Sequence, residues 1–283
     1  MKVLLQTTIP PTADDWSIDR FSLLAALLRQ ERDESGQPLF EVTTRDRDPL
    51  EAPDTLLSNL ERSDFDQLWL FAVDVGNGLS AEDLRGIDAF RARGGGVLIA
   101  RDHMDLGCSV CGLAEIGAAN HFHTHNVDPM APAVRDDPFT LSISWPNYHS
   151  GANGDYQQIE AVEPAHEVLR GVHVLPSHPH EGAVSAPPDA RARVIARGTS
   201  KVTGARFNIA VAFEADGPAG RAIAQSTFHH FSDYNWDPRV GAPSFVDEPP
   251  GDGMLRHPEA LAATHRYARN VARWLAGLPL DYL

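Results

Sequence analysis

The apolar positions of this chain come in two rhythms that alternate along its first hundred residues. Lys2 to Thr8 is a short run apolar on both faces, ended by Pro10-Pro11, and reads as a strand. From Ser17 to Arg32 the apolar residues Ile18, Phe21, Leu24, Ala25 and Leu28 recur at helical spacing. Leu39 to Thr44 predicts a second strand, Leu56, Leu57 and Leu60 a short helix, and Gln67 to Val73 a third strand. Ser80 then has the chemistry of a helix cap, with Glu82 and Asp83 in the first turn and Leu84, Ile87 and Phe90 as the buried stripe. The triplet Gly94-Gly95-Gly96 stops that helix, and Val97 to Ala100 forms a strand apolar on both sides. Such alternation predicts an α/β fold, a three-layer sandwich around a mostly parallel, flavodoxin-like sheet with right-handed crossovers.

Beyond Cys108 the pattern loosens until about Pro188, with frequent proline and glycine and a concentration of histidines. The strand rhythm returns at Arg191 to Gly198, Arg206 to Glu214 and Arg221 to Ser226. A last helix, Pro258 to Ala276, carries Leu261, Ala268, Val271, Ala272 and Leu275 on one face. With no repeat and no low-complexity linker, residues 1–283 read as a single domain with an irregular, histidine-rich excursion at about 104–190.

The formal charge of −15 argues against nucleic acid or an anionic membrane as partner, because both select basic surfaces. No run approaches the ~18 apolar residues of a membrane span, and Gln6, Thr7 and Thr8 cut the N-terminal apolar run short of a signal peptide. These features predict a cytoplasmic protein with a small-molecule substrate; assembly into a homo-oligomer stays open. Cys108 and Cys111 form one Cys-x-x-Cys, read as two reduced thiols, since two ligands alone do not close a zinc site.

Three stretches resemble the class I glutamine amidotransferase-like superfold and, within it, the trehalose-utilisation (ThuA-like) family. They are Leu68-Trp69-Leu70-Phe71 through Gly76-Asn77-Gly78-Leu79-Ser80; Phe90 through Gly94-Gly95-Gly96-Val97-Leu98-Ile99; and Gly220-Arg221-Ala222-Ile223 through Phe228-His229-His230, followed by Val271 to Gly277. The resemblance implies a sugar-like substrate and a histidine after the central strand, nearest here to His103. True amidotransferases carry Gly-x-Cys-x-Gly at that turn, where this chain has Arg101-Asp102-His103-Met104-Asp105. Their downstream His-x-Glu is absent too, because Phe231 stands two residues after His229. The chain is therefore not expected to hydrolyse glutamine through a cysteine.

Ligands of open α/β sheets bind beyond the carboxyl ends of the strands, which makes the strand-end residues the candidates. His103 with Asp105 follows the central strand and offers an imidazole beside a carboxylate for acid–base work. His180 with Glu181 follows the strand Val172 to Leu175, and His229 with His230 ends the last strand; all six are candidate catalytic residues. Asp74, Asn77, His178, Asp233, Tyr234 and Trp236 lie at the same rim as candidate substrate-binding residues. His121, His123 and His125 alternate, so an extended backbone would put all three on one face, where two could chelate a divalent metal such as zinc.

The leading expectation is an enzyme, a hydrolase or sugar-modifying enzyme in kind, that uses histidine and carboxylate acid–base chemistry on a small polar, carbohydrate-like molecule. Two alternatives stay open: a metal-dependent hydrolase or metal-binding protein built on clustered histidines, and a non-catalytic ligand-binding domain. One expectation is specific: His103, one of His178 and His180, and one of His229 and His230 share a crevice.

Overall fold

The computed structural model describes residues 1–103, 105–122, 155–178, 181–188, 190–199, 206–246 and 250–280. In chain order its strands are β1 (Lys2–Thr7), β2 (Glu41–Arg45), β3 (Gln67–Phe71), β4 (Gly96–Ala100), β5 (Tyr156–Gln158), β6 (Glu160–Ala161), β7 (Val174–Pro176), β8 (Ala192–Thr199), β9 (Arg206–Phe213) and β10 (Ala222–Gln225). The helices are α1 (Ser22–Gln30), α2 (Ala81–Ala92), the single turns α3 (Asp233–Trp236) and α4 (Gly253–Arg256), and the long α5 (Pro258–Leu275).

The main sheet has the order β2-β1-β3-β4-β10-β9-β8-β6. The five strands from β2 to β10 are mutually parallel, and β9, β8 and β6 extend the sheet antiparallel. This is the flavodoxin-like three-layer sandwich, with an antiparallel extension on one side. Alternate side chains of each parallel strand enter opposite layers, as the two-residue period requires. Val3 and Leu5, Trp69 and Phe71, and Leu98 face the layer that holds α1 and α5. Leu4, Leu68, Leu70, Val97 and Ile99 face the layer of Ile87 and Phe90 from α2. With both faces covered, strands of nearly unbroken apolar residues are the stable choice, each fully buried side chain contributing about 1.5–3 kcal/mol.

The helix stop is as the glycine triplet predicts: Gly94 takes φ +107°, a conformation costly for any side chain. Ser80 and Asp83 form a reciprocal capping box, Ser80 Oγ accepting from Asp83 N (3.1 Å) and Asp83 Oδ2 from Ser80 N (2.9 Å). Two elements differ from expectation. The helix expected from Ser17 is split into a 3-10 turn, Ile18–Phe21, and α1, because the Asp233 carboxylate accepts from Ser22 N (3.0 Å) and Leu23 N (2.8 Å) and sets the start of the α-helix. The strand expected at Val172 to Leu175 forms as β7, starting two residues later, and pairs with β5 in a separate two-stranded sheet. Among the described residues no helix is long and apolar enough to cross a membrane.

Candidate active site

The site begins with register. In the parallel pair β4–β10, Gln225 stands opposite Ala100. Asp102 and Thr227, each two residues further on, therefore leave the sheet side by side, and Thr227 Oγ1 donates to Asp102 Oδ1 at 2.8 Å. One residue apart in the same two segments, Phe228 N donates to Arg101 O at 3.0 Å. Beneath Asp102 the fully buried Arg101 donates to the carbonyls of Leu106 (3.1 Å) and Asn120 (2.8 Å), with its guanidinium over the Phe122 ring at 4.1 Å. These bonds fold the segment after β4 back on itself. The return needs Gly107 at φ +77°, where a Cβ would meet Ala72 O at 2.3 Å.

Asp102 is the centre of the cluster. His103 Nδ1 donates to its Oδ2 at 2.6 Å, His178 Nδ1 lies 3.6 Å from Oδ1, and His229 Nε2 lies 3.7 Å from Oδ2. Burial alone would push this carboxyl up, but the imidazoles of His178, His103 and His229 outweigh it and hold Asp102 well below the usual carboxylate range. The rings of His178 and His229 stack with centroids 3.6 Å apart and planes 7° from parallel. Trp16 meets His229 edge-on at 4.8 Å. Asn235 Oδ1 accepts from His229 Nδ1 at 2.7 Å, and Asn235 Nδ2 donates to Ser177 O at 3.2 Å, so the amide fixes the ring and ties it to the segment carrying His178. Of the three imidazole side chains His103 is the most exposed, at 12% against 6% for His178 and 3% for His229. A carboxylate that only accepts leaves His103 protonated on Nδ1, so its neutral form presents Nε2 as the basic nitrogen.

His103, His178 and His229 thus meet at one carboxylate. His230, next in sequence, turns inward to a second buried group: its Nδ1 accepts from Gln225 Nε2 (2.6 Å) and its Nε2 lies 2.9 Å from Glu181 Oε1. Glu181 also accepts from Ser226 Oγ (2.8 Å) and Gln157 Nε2 (2.6 Å), while Tyr267 donates to Gln225 Oε1 (2.7 Å). Asp105 lies half-buried in the turn after His103, where its carbonyl accepts from Cys108 N. Asp74 is buried and accepts from Gly76 N and Ser109 Oγ, and Asn77 is exposed beside it. Asp233 caps α1, and burial pushes its carboxyl up. Tyr234 is buried, and the buried Trp236 donates to His230 O, which places the α3 turn in the packing behind His229. His121 ends a 3-10 turn; His123, His125 and His180 lie outside the described residues. Sequence reasoning passed over Asp102, Thr227 and Asn235. The signal for Asp102 was present, an acidic residue beside His103 directly after the central strand.

No family model matches the chain, and no curated protein matches its sequence. Solved structures do match. A putative ThuA-like protein from Parabacteroides merdae aligns over 100% of this chain and 92% of its own, at TM-score 0.53 and 14% identity. The two chains share a fold. A cytoplasmic protein from Salmonella typhimurium, STM1381, aligns over 96% of this chain and 99% of its own at TM-score 0.51 and 11% identity. The glutaminase domain of Trypanosoma brucei CTPS aligns over 100% and 95% at TM-score 0.42 and 10% identity. The first two alignments show a shared fold, and identities this low leave the chemistry to be argued from the site.

Proposed function

We propose that this ThuA-like chain is an enzyme that performs acid–base chemistry on a small polar molecule, with His103 as the general base or acid and Asp102 as the residue that orients it. One observation carries the reading: the most exposed imidazole of the cluster donates at 2.6 Å to a buried carboxylate held in its ionised form. That arrangement fixes the tautomer, stabilises the imidazolium formed when a proton is taken, and leaves proton exchange to Nε2. His178 and His229 wall the site beneath it. The resemblance to the trehalose-utilisation family makes sugars and their derivatives the first substrates to try.

The chemistry proposed does not pass through a cysteine. Cys108 opens a 3-10 turn after the left-handed Gly107, beyond the strand-end turn that Asp102 and His103 occupy. Burial pushes the Cys111 thiol up, with the Arg101 guanidinium offsetting it only in part, which keeps that sulfur from being a ready thiolate.

A panel of sugars, sugar esters and amides, assayed for turnover and for thermal shift, tests the reading. His103→Ala is expected to lower turnover of any responsive compound by about 10²–10⁴-fold while the melting temperature stays within a few degrees. Ligand-induced stabilisation without turnover, unchanged in His103→Ala, would instead identify a binding domain.

A further inference from the structure

Acid–base chemistry at His103 leaves the Cys-x-x-Cys unused. Cys108 and Cys111 stand three residues apart in the 3-10 turn Cys108–Gly112, and both are reduced and half-buried. A 3-10 turn repeats every ~3 residues and rises ~2.0 Å per residue, so the two cysteines share one face with Cα atoms about 6 Å apart. Disulfides span Cα separations of about 4.4–6.8 Å, so rotation of the two side chains and a slight tightening of the turn join the sulfurs. The turn itself is fastened at its base. Ser109 Oγ donates to the buried Asp74 carboxylate at 2.8 Å, Gly107 N to Asp74 O, and Val110 N to Gly107 O. Cys111 Sγ lies 3.5 Å from Arg101 Nη1 and donates to Asn120 O at 3.4 Å. Cys108 Sγ faces the loop after β3, where a Cβ on Gly76 would stand 3.0 Å from it and the preceding Val75 is exposed. The Arg101 guanidinium is within electrostatic reach of both sulfurs. It is a fixed cation for the negative charge that moves between sulfurs in thiol exchange.

We infer that Cys108 and Cys111 are a reversible dithiol–disulfide site, oxidised by a low-molecular-weight disulfide such as oxidised glutathione. The Cys108 thiolate attacks one sulfur of glutathione disulfide, forming a mixed disulfide and expelling one glutathione thiolate. The Cys111 thiolate then attacks the Cys108 sulfur, closing the Cys108–Cys111 bond and expelling the second glutathione. Two protein thiols are oxidised, one disulfide is reduced, and the two cysteine protons end on the two glutathiones. Cys108 takes the first step because its sulfur faces the exposed loop, while Cys111 is turned to Arg101 and Asn120. Burial pushes the Cys111 thiol up, offset in part by Arg101, which suits a resolving thiol that acts after its neighbour. Closing the bond takes the Cys111 S–H from Asn120 O, an acceptor that Arg101 Nη1 shares at 2.8 Å. Arg101 is followed directly by Asp102 and His103, so the thiol state is registered beside the imidazole cluster without lending a sulfur to its chemistry. In reducing compartments disulfides of this kind serve sensing or catalysis rather than stapling.

The chain contains two cysteines in all, which makes its thiol count unambiguous. In the test, reduced wild-type protein is equilibrated with glutathione buffers of graded oxidised-to-reduced ratio, both folded and in guanidinium chloride. Each sample is then acid-quenched, labelled with a maleimide and weighed as intact protein. The folded protein is expected to lose both thiols in one transition, giving an unlabelled monomer lighter by two hydrogen atoms. Its equilibrium constant is expected to exceed that of the unfolded chain at least about tenfold, or ~30 mV in a two-electron couple. Cys111→Ser is expected to stop at one glutathione bound to Cys108, located by peptide mapping. A wild type that keeps both thiols across the series, carries glutathione on both cysteines, or joins two copies instead overturns the inference. So does a folded constant no greater than the unfolded one, which would reduce the pair to sequence spacing alone; that comparison uses wild type and needs no variant to fold. Failure here leaves the acid–base enzyme standing, and a protein that turns over nothing leaves the dithiol standing.

Discussion

Thr227 is the residue on which the joining of the two strand ends can be measured. Its hydroxyl donates to the buried, ionised Asp102 at 2.8 Å and accepts from His229 N at 3.1 Å. Valine has nearly the same shape, so Thr227→Val removes both bonds without opening a cavity. A hydrogen bond to a charged group contributes about 1.5–3 kcal/mol, and an orphaned backbone N–H adds about 1 kcal/mol. The expected loss is therefore about 2.5–4 kcal/mol, or roughly 4–7 °C in melting temperature for a domain of this size. Thr227→Ser keeps the hydroxyl and gives up one methyl, about 0.8 kcal/mol. Urea unfolding followed by far-ultraviolet circular dichroism, alongside calorimetry, compares the three proteins. Equal midpoints for the valine and serine variants would show that the hydroxyl does not hold Asp102, and the register argument for the site would fail with it.

Two further outcomes follow from the same structure. Gly107→Ala forces a side chain into φ +77° and sets a Cβ 2.3 Å from Ala72 O, so it is expected to cost more than about 2 kcal/mol and to lower the thermal midpoint clearly; a variant as stable as wild type would contradict the turn. His265, half-buried against Trp236 at 4.8 Å, has its pKa lowered from 6.5 to about 4 by burial, with Arg269 adding to the effect. The unfolded chain then binds more protons than the folded one between pH 6.5 and 4, so stability is complete above pH 6.5 and falls as pH drops through that window. After allowance for solvent screening the loss is about 1–2 kcal/mol. Wild type is therefore expected to lose more stability than His265→Gln between pH 7 and pH 4.5, and parallel pH–stability curves would refute the assignment.

The parallel half of the fold was legible because each of its signals is local. An apolar run covered on both faces, a serine followed by Asp83, and a glycine triplet each act within a few residues, and together they located β1, β3, α2 and β4. The antiparallel extension was not legible in the same way. Apolar runs at Arg206 to Glu214 and Arg221 to Ser226 look alike whether strands run together or opposed, and direction is decided by pairings such as Phe213 against Ala222. The split at Phe21 depends on a carboxylate more than two hundred residues away, Asp233, whose contact with Ser22 no helical periodicity contains.

The candidate site divides along the same line. Position at strand ends was enough to select His103 and the pair His229 and His230, because the parallel neighbours β4 and β10 release their following residues at one rim, while His178 or His180 was expected there after a strand that the structure pairs outside the main sheet. It was not enough to separate His229 from His230. Both follow the strand by similar distances, and what distinguishes them is the 3-10 turn Phe228–His230, which sends one ring to Asp102 and the other to Gln225 and Glu181. Asp102 was overlooked for a related reason: its neighbour Asp105 offered an equally plausible carboxylate, and only the exact Ala100–Gln225 register puts Thr227 opposite Asp102. Residue type and strand position therefore bring candidate chemistry to a rim, while register and turn geometry choose which carboxylate the imidazoles share. At this rim the choice falls on Asp102, whose carboxylate gathers the three imidazoles and the Thr227 hydroxyl.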